Sequence, residues 1–596
     1  MNVLQDSFGR TFPYLRLSVT EACNFRCLYC LPDGYRKTGQ PQFLSVREIE
    51  RLIGACVALG VQKVRLTGGE PTVRRDLTAI AAAVSCTPGI RTVGLTTNGY
   101  NLKEKAAEFF AAGVRALNVS VDSLDPSTFQ AVTGHDKLGT VLAGISSLFL
   151  FVALVVSVQF FVSLPAQPLV FDPANPMVAM DRLTAFATAL VCIVSIFTCW
   201  LSASYLVELG INHGEYYALL LLASAGMILT VQSVDLMTLF LGIELMSIPI
   251  YALAGFARRS LESNESALKY FLIGSFTSAI LLYGMALLYG TTGATDFAKM
   301  RTAFDAANPL ALVGLGFVVV GFGFKVASVP FHQWAPDVYE GAPTPVTSYM
   351  AAAVKVAAFV ALLRLVTSAF GPIDARLSDL FWALSAASVV VGNVMAVIQD
   401  NVKRMLAYSS VANAGYILVG FAVGTPAAHE AVLYFLLVYL FMNVGAFAVV
   451  IALANGGRDR DRFDDFAGLA QKRPALAALL TLFLVAQAGL PGTGGFIAKF
   501  TMFAAAVQSG FVWLTVIAVL GSAVSFYYYL RLPVLMYMRE PAPDEPRLET
   551  STGEGLVLAL CAIAIVLLGI FPAAGPGILS YIRALDWVKQ SIAMLG

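Results

Sequence analysis

Two groups of residues in this sequence carry chemistry. Near the N-terminus, Cys23, Cys27 and Cys30 stand in EACNFRCLYC as C-x-x-x-C-x-x-C. Three thiolates on one short loop can hold three irons of a [4Fe–4S] cluster, leaving the fourth open to a ligand. Spacing alone leaves two alternatives, a zinc site short of its fourth ligand and three unrelated thiols. Gly68-Gly69-Glu70-Pro71 ends a strand-like run, and glycine there lets a ligand come close to the backbone.

The second group lies far downstream, where charges sit inside apolar runs. Glu244 stands in FLGIELMSIPIYAL, Lys269 in SALKYFLIGSF, Lys325 in GFGFKVASVPFHQW, Lys355 in AAAVKVAAFV and Lys499 in GFIAKF. Each charge costs about 2.5–3.5 kcal/mol at the centre of a membrane helix. A set of them therefore needs polar partners or water, unless some lie near helix ends and snorkel to the interface. Buried lysine suits proton transfer, because desolvation disfavours its charged form and a nearby carboxylate restores it. A Glu244–Lys269 pair that opens and closes would switch Lys325, with His332, Asp337 and Glu340 feeding protons. A hydrogen-bonded structural role for His332 fits the sequence equally well.

The elements that position these residues follow from composition. The 596 residues are 58% hydrophobic and 13% charged, with a net charge of +1 and a mean hydropathy of +0.73. Soluble domains carry roughly 25% charge, so most of this chain faces lipid or other helices. The balance offers nothing to nucleic acid. Residues 1–145 have mixed charge and read as a soluble domain. No apolar leader precedes them, so they are expected to stay in the cytoplasm. Strands are expected at Tyr14–Thr20, Lys63–Gly69, Thr92–Gly99 and Ala116–Ser123, alternating with helices at Ser45–Leu59, Leu77–Ser85 and Leu102–Ala112. This alternation predicts parallel βα units.

From Ser146 onward about thirteen apolar stretches approach the ~20 residues that a spanning helix needs. One of them, 474–508, is interrupted at Gly489-Leu490-Pro491-Gly492-Thr493-Gly494-Gly495, and another runs into Ser328-Val329-Pro330. Such breaks must line a polar cavity or pack against protein, and they recur at transporter ion sites. Arg258, Arg259, Lys403, Arg404, Arg458, Arg460, Arg462, Lys472, Arg473, Arg531 and Arg539 fall on alternate connections. The positive-inside rule makes that face cytoplasmic.

The segments RLSVTEACNFRCLYCLPDG, VRLTGGEPTVRRDL, LTTNG and NVSVDSLDPSTFQAVTGHD resemble the radical S-adenosylmethionine superfamily, and within it the GTP 3',8-cyclase of molybdenum-cofactor biosynthesis. The resemblance runs from about Tyr14 to Ile145. It implies a partial (βα) barrel, with Cys23, Cys27 and Cys30 on a [4Fe–4S] cluster. It implies Tyr29, Gly69 and Ser120 on S-adenosylmethionine, and Arg16, Arg65 and Thr96 on GTP. That family's second cysteine cluster has no counterpart here. Cys56 and Cys86 fall in helical patterns and Cys192, Cys199 and Cys561 in apolar ones. Much of the barrel is missing too, so GTP ring closure is not expected.

SVPFHQWAPDVYEGAPTPVTSYMAAAVKVAAF, IQDNVKRMLAYSSVANAGY and GLPGTGGFIAKF resemble subunit N of the bacterial NADH:quinone oxidoreductase, complex I, over about Ser146 to Ala573. The resemblance implies an all-α polytopic bundle of two inverted five-helix repeats, each with a broken helix. Glu244, Lys269, Lys325, Lys355 and Lys499 would form its charged axis, and the family's first helix is absent. The expected organisation is therefore a fusion. Residues 1–145 form a radical enzyme domain, and residues 146–596 a proton-translocating domain of the bacterial inner membrane.

The membrane part has no flavin, quinone-site or iron–sulfur signature and needs no cofactor. Other complex I membrane subunits are its expected partners, with the NADH and quinone sites on partner subunits. Three other readings compete: a stand-alone cation/proton antiporter, a membrane-tethered radical enzyme acting on GTP, and an N-terminal part that is an inert appendage.

Overall fold

The computed structural model describes residues 11–31, 33–35, 43–123, 126–135, 137–163, 169–170, 172, 174–370, 375–454, 459–540, 550–571 and 584–592. Arg458, counted above among the basic connections, lies outside the described residues. The chain divides into two compact units, Met1–Val152 with Asn212–Tyr217, and Ala153–Ile211 with Ala218–Gly596.

In the first unit, β1 (Tyr14–Thr20), β2 (Lys63–Gly68), β3 (Thr92–Thr97) and β4 (Val114–Val119) form one parallel sheet in that order. The crossovers contain α1 (Val46–Ala58), α2 (Leu77–Cys86) and α3 (Leu102–Ala111). Strands added in one direction by right-handed crossovers place all these helices on one face, as in the start of a barrel. Alternation along the strands decides which face. Leu17, Val19, Val64, Leu66, Val93 and Leu95 share a core with Ile49, Ile53, Ile80 and Phe109.

The opposite face is polar. Arg16 pairs across with Arg65, Arg65 with Gly94, and Thr96 with Asn118. The fourth strand starts two residues before the expected Ala116, because Gly113 (φ +91°) ends the α3 turn and leads directly into it. A further helix, α4 (Pro126–Thr133), follows. Its sequence PSTFQAVT lacks the apolar periodicity that would have shown it. The next helix, α5 (Leu138–Ser163), runs uninterrupted through the expected 145/146 boundary.

The remaining elements are helical. α6 (Arg182–Glu208) is followed by α7 (Glu215–Gln232), α8 (Leu236–Ala254), α9 (Leu261–Thr292), the short α10 (Phe297–Ala303), α11 (Pro309–Val326) and α12 (Trp334–Gly341). α13 (Thr344–Tyr349) passes through π turns at Met350–Val354 into α14 (Lys355–Ala369). Then come α15 (Ala375–Val397), α16 (Val402–Val423), α17 (Pro426–Leu453), the short α18 (Leu469–Lys472), α19 (Pro474–Ala488), α20 (Gly494–Gln508), α21 (Val512–Met538), α22 (Thr552–Ile570) and α23 (Ala584–Ile592). Among the described residues 12 helices are long and apolar enough to cross a membrane. The interrupted α19–α20 stretch adds the remaining expected span.

Two groups of five spans repeat. The first is α7, α8, α9, α11–α12 and α13–α14, and the second α15, α16, α17, α19–α20 and α21. In each, the fourth span is broken. In each, an isolated antiparallel bridge ties the residue capping the second span to the segment after the third: Asp235 to Asp296, and Asn401 to Arg462. The two bridges have the same sequence spacing. An odd number of spans per repeat inverts the second relative to the first, so the bridges lie on opposite faces.

The spans α13–α14, α16 and α17 are each 94% buried and make the centre of the bundle, whereas α21 is only 33% buried. At the start of α6, Asp181 caps the helix and takes a bidentate Arg364 (2.7 and 2.8 Å), both side chains nearly inaccessible. Removing one partner of such a pair strands the other charge, at roughly 3–5 kcal/mol. Arg364→Met is therefore expected to lower the thermal unfolding midpoint of the chain in detergent. Reactivity of the buried Cys192 and Cys199 thiols of the same helix reads that midpoint.

Candidate functional sites

In the first unit all the motifs fall on the rim at the C-terminal ends of the strands. The cysteine loop follows β1, Gly68–Pro71 follows β2, Asn98–Gly99 follows β3, and Ser120–Ser123 follows β4. Glu70, which no spacing argument singled out, organises this rim from a buried position. Its carboxylate accepts Thr72 N (3.0 Å), Thr72 Oγ1 (2.6 Å), Thr97 Oγ1 (2.7 Å) and Asn98 N (2.6 Å). Asn98 Nδ2 then donates to Asn24 Oδ1 inside the cysteine loop (2.8 Å).

The glycines before Glu70 serve packing as well as any ligand. A Cβ on Gly69 would collide with Ala22 O, and Gly69 N donates to Thr20 O (2.8 Å). The Gly-Gly turn thus lies directly against the base of the cysteine loop, a constraint the ligand-approach reading did not include.

From the other side, Arg26 N and Leu28 N donate to the end of α4 at Thr133 O and Val132 O (both 3.0 Å), and Phe25 packs on Phe129. Cys23 and Cys27 are half-buried and Cys30 is exposed. Burial is the largest influence on Cys23 and Cys27 and pushes both thiols up, with repulsion from Glu70 and Asp122 respectively adding to it. Tyr29 donates to Asp122 Oδ1 (2.9 Å), and this bond holds its hydroxyl well above the usual tyrosine range.

Among the described residues, no three ligating side chains are gathered to metal-binding distance. The donor set, three thiols on one loop pinned at both ends, still fits an iron–sulfur cluster chemically. Arg16, Arg65 and Thr96 share the sheet's polar face, while Ser120 begins the loop after β4. Arg65 Nε and Thr96 Oγ1 are buried without a hydrogen-bond partner among the described residues.

In the second unit three of the five expected charges are deeply buried: Lys325 (3% exposed), Lys355 (1%) and Lys499 (5%). Their acceptors are hydroxyls and carbonyls. Lys325, in the last turn of α11, donates to Ser247 Oγ (2.7 Å) and Tyr251 OH (3.3 Å). Lys355 donates to Ser410 O (2.6 Å). Lys499 donates to Ala488 O, left free where α19 ends, and to Ser522 Oγ (both 2.9 Å). Each ammonium also lies near an aromatic face, Lys499 at 4.8 Å from the Tyr416 ring centre, which stabilises a cation in a dry site. At the break between α19 and α20 the two half-helices lie in close backbone contact, since a Cβ on Gly495 would collide with Ala486 O.

The expected Glu244–Lys269 pair is not formed. Glu244 accepts Ser278 Oγ (2.5 Å), whereas Lys269 pairs with Asp337 and Glu265 (both 2.6 Å). Ser278 and Lys269 are nine residues apart on α9, about 13 Å along the axis, so one carboxylate cannot serve both. Glu244 instead stands one turn from Ser247 on α8, beside the hydroxyls that hold Lys325. Lys269 is 40% exposed and belongs to a surface network in which Arg404 also binds Asp337 and Glu340 (both 2.7 Å). The ring of His332 is near Tyr408, and its Nδ1 has no partner among the described residues. Ser247, Tyr251, Ser410 and Ser522 escaped the sequence reading because hydroxyls within apolar helices are common and carry no spacing signal.

Residues 17–148 match the radical SAM superfamily. Residues 233–525 match the family described as NADH:quinone oxidoreductase/Mrp antiporter, TM. The chain is 46% identical over 400 residues to NADH-quinone oxidoreductase subunit N of Trichlorobacter lovleyi, covering 66% of this chain and 82% of that one. It is 42% identical over 398 residues to NADH-quinone oxidoreductase subunit N 1 of Thermodesulfovibrio yellowstonii, covering 67% and 86%. A chain of respiratory complex I from Thermus thermophilus with bound aureothin superimposes with a TM-score of 0.62 at 34% identity, covering 73% of this chain and 92% of that one. From the paired broken-helix repeats and these relatives together, the chain belongs to the NADH-quinone oxidoreductase subunit N family, fused at its N-terminus to a radical SAM domain.

Proposed function

We propose that the second unit carries protons across the membrane as a subunit of an NADH:quinone oxidoreductase, driven by electron transfer in partner subunits. The observation that carries this is the set of three buried ammonium groups, Lys325, Lys355 and Lys499, each beside a helix break or π turns and each held by hydroxyls or carbonyls. Exchangeable contacts of this kind let an amine gain or lose a proton without breaking an ion pair. Glu244, one turn from the Lys325 contacts, places a carboxylate beside the hydroxyls that hold the lysine. Lys269 with Asp337 and Arg404 forms a charged surface at the basic end.

The chain is expected to co-purify with the other membrane subunits of the complex and with the partner subunits that carry the NADH and quinone sites. Its vesicles are expected to acidify on NADH addition without sodium or potassium. A strict requirement for either ion would favour the antiporter reading instead.

In this proposal the basic face is cytoplasmic, and residues 1–145 lie in the cytoplasm of a bacterial cell. Protease added to sealed cells should leave that segment intact, with digestion appearing only after lysis. Cleavage in intact cells would show that the charge bias was misread.

For the first unit the proposal is a cyclase-like radical domain. Cys23, Cys27 and Cys30 would hold a [4Fe–4S] cluster, which supplies one electron to S-adenosylmethionine. Tyr29, Gly69 and Ser120 would contact that cofactor. Arg16, Arg65 and Thr96 line a polar strand face suited to a GTP phosphate or purine edge. The unpartnered Arg65 Nε and Thr96 Oγ1 support this reading.

A further inference from the structure

At the basic end of the bundle lies a buried charge that the lysine line leaves unused. Lys403 is almost inaccessible and donates to Ala342 O and to Asp459 Oδ2 (both 2.9 Å). Asp459 Oδ2 also accepts Thr344 Oγ1 (2.6 Å), and its Oδ1 accepts Tyr205 OH (2.8 Å). One carboxylate therefore gathers the end of α6, the start of the Lys355-bearing span and the start of α16. The Asp459 side chain is 17% exposed, so it touches solvent on one side and the bundle interior on the other.

Two helices lead inward from this pair to Lys355. Along α16, Ser410 stands seven residues beyond Lys403, about 10 Å down the axis, and its carbonyl takes the Lys355 ammonium. Along the other span, Thr344 and Ser348 stand at i and i+4 on one face of α13, and the π turns at Met350–Val354 lead on to Lys355. Ser348 is fully buried and its hydroxyl has no partner among the described residues. A buried hydroxyl left this way costs about 1–3 kcal/mol, so the stretch between Asp459 and Lys355 is suited to internal water.

We propose that Asp459 and Lys403 form the cytoplasmic proton entry to Lys355, an inference that rests on the proton-translocating role above. Asp459 takes a proton from solvent as an O–H bond, which weakens its hold on the Lys403 ammonium. The proton then passes along the Thr344 and Ser348 hydroxyls, with water between them, to Lys355 once its ammonium has handed its own proton onward. Asp459 is left as a carboxylate and re-pairs with Lys403, which keeps its own charge throughout.

The test uses the assembled complex in membrane vesicles, comparing protons moved per NADH oxidised for Asp459→Asn, Asp459→Glu, Ser348→Ala and Lys355→Ala. Asparagine keeps the shape and one acceptor oxygen, enough for Tyr205 at one position or for Thr344 at the other, but takes up no proton. It should lower the ratio severalfold with quinone reduction and assembly retained, and glutamate should recover it. A wild-type ratio for Asp459→Asn overturns the entry. If Asp459→Asn prevents assembly, Ser348→Ala decides: a lowered ratio supports the route, and a normal one leaves Asp459 a structural clamp. A normal ratio for Lys355→Ala would instead overturn the proton-translocating reading of the lysine line itself.

Discussion

Replacing Lys325 with alanine is expected to reduce proton movement through this chain by roughly 10²-fold, the scale on which loss of a positioned proton donor slows transfer. The Lys325 ammonium donates to Ser247 Oγ and Tyr251 OH and faces the Tyr251 and Phe324 rings. Alanine keeps the helix but leaves those hydroxyls without a proton carrier. Insertion should be unaffected or eased, because the charge removed costs about 2.5–3.5 kcal/mol in a membrane helix. The measurement is the pH change in inverted vesicles on NADH addition, set against the rate of NADH oxidation and the amount of chain in the membrane. Undiminished pumping at equal abundance would sink the assignment. Glu244→Gln should move the same ratio in the same direction. The amide oxygen can still accept from Ser278, so only the charge one turn from Ser247 is lost.

The second large effect concerns the first unit. Anaerobic reconstitution of the purified full chain with iron and sulfide should give the visible absorbance of an iron–sulfur cluster. Cys27→Ser should remove it, by more than the roughly 10- to 100-fold that loss of a supporting outer-shell group costs a metal site. Cys27 is the pivot of the loop, since both Cys30 N and Leu31 N donate to its carbonyl (2.9 Å each). The same preparation, given GTP and S-adenosylmethionine, should form no cyclised product. The eight cysteines of the chain offer no second cluster to anchor the nucleotide. A cyclised product would show that the retained strands suffice. Failure to take up iron would favour the inert-appendage reading, with the open edges that the four-stranded sheet shows among the described residues as the physical weakness.

The sequence alone determined the class of each part, because class depends on quantities that add along the chain. Low charge and long apolar runs required a membrane bundle, and the two interruptions, at Ser328–Pro330 and Gly489–Gly495, marked its broken helices. Strand–helix alternation required a parallel sheet, and cysteine spacing located the loop at its rim. Lys325, Lys355 and Lys499 were legible for the same reason, since a charge in an apolar run is conspicuous in one dimension.

Partners were decided only by the tertiary structure. Whether Glu244 meets Lys269 or the Lys325 hydroxyls depends on how α8 and α9 lie along each other, and the observed register sets it on Ser278, nine residues beyond Lys269. Glu70 was marked only as part of the Gly68–Pro71 turn, and its carboxylate found a role once β2 and β3 placed it beside Thr97 and Asn98. Asp459, more than a hundred residues from Thr344 and over two hundred from Tyr205, became a junction only when three helix ends converged on it. Hydrogen bonds form within about 3 Å and are indifferent to chain separation, so no spacing along the sequence could have announced them.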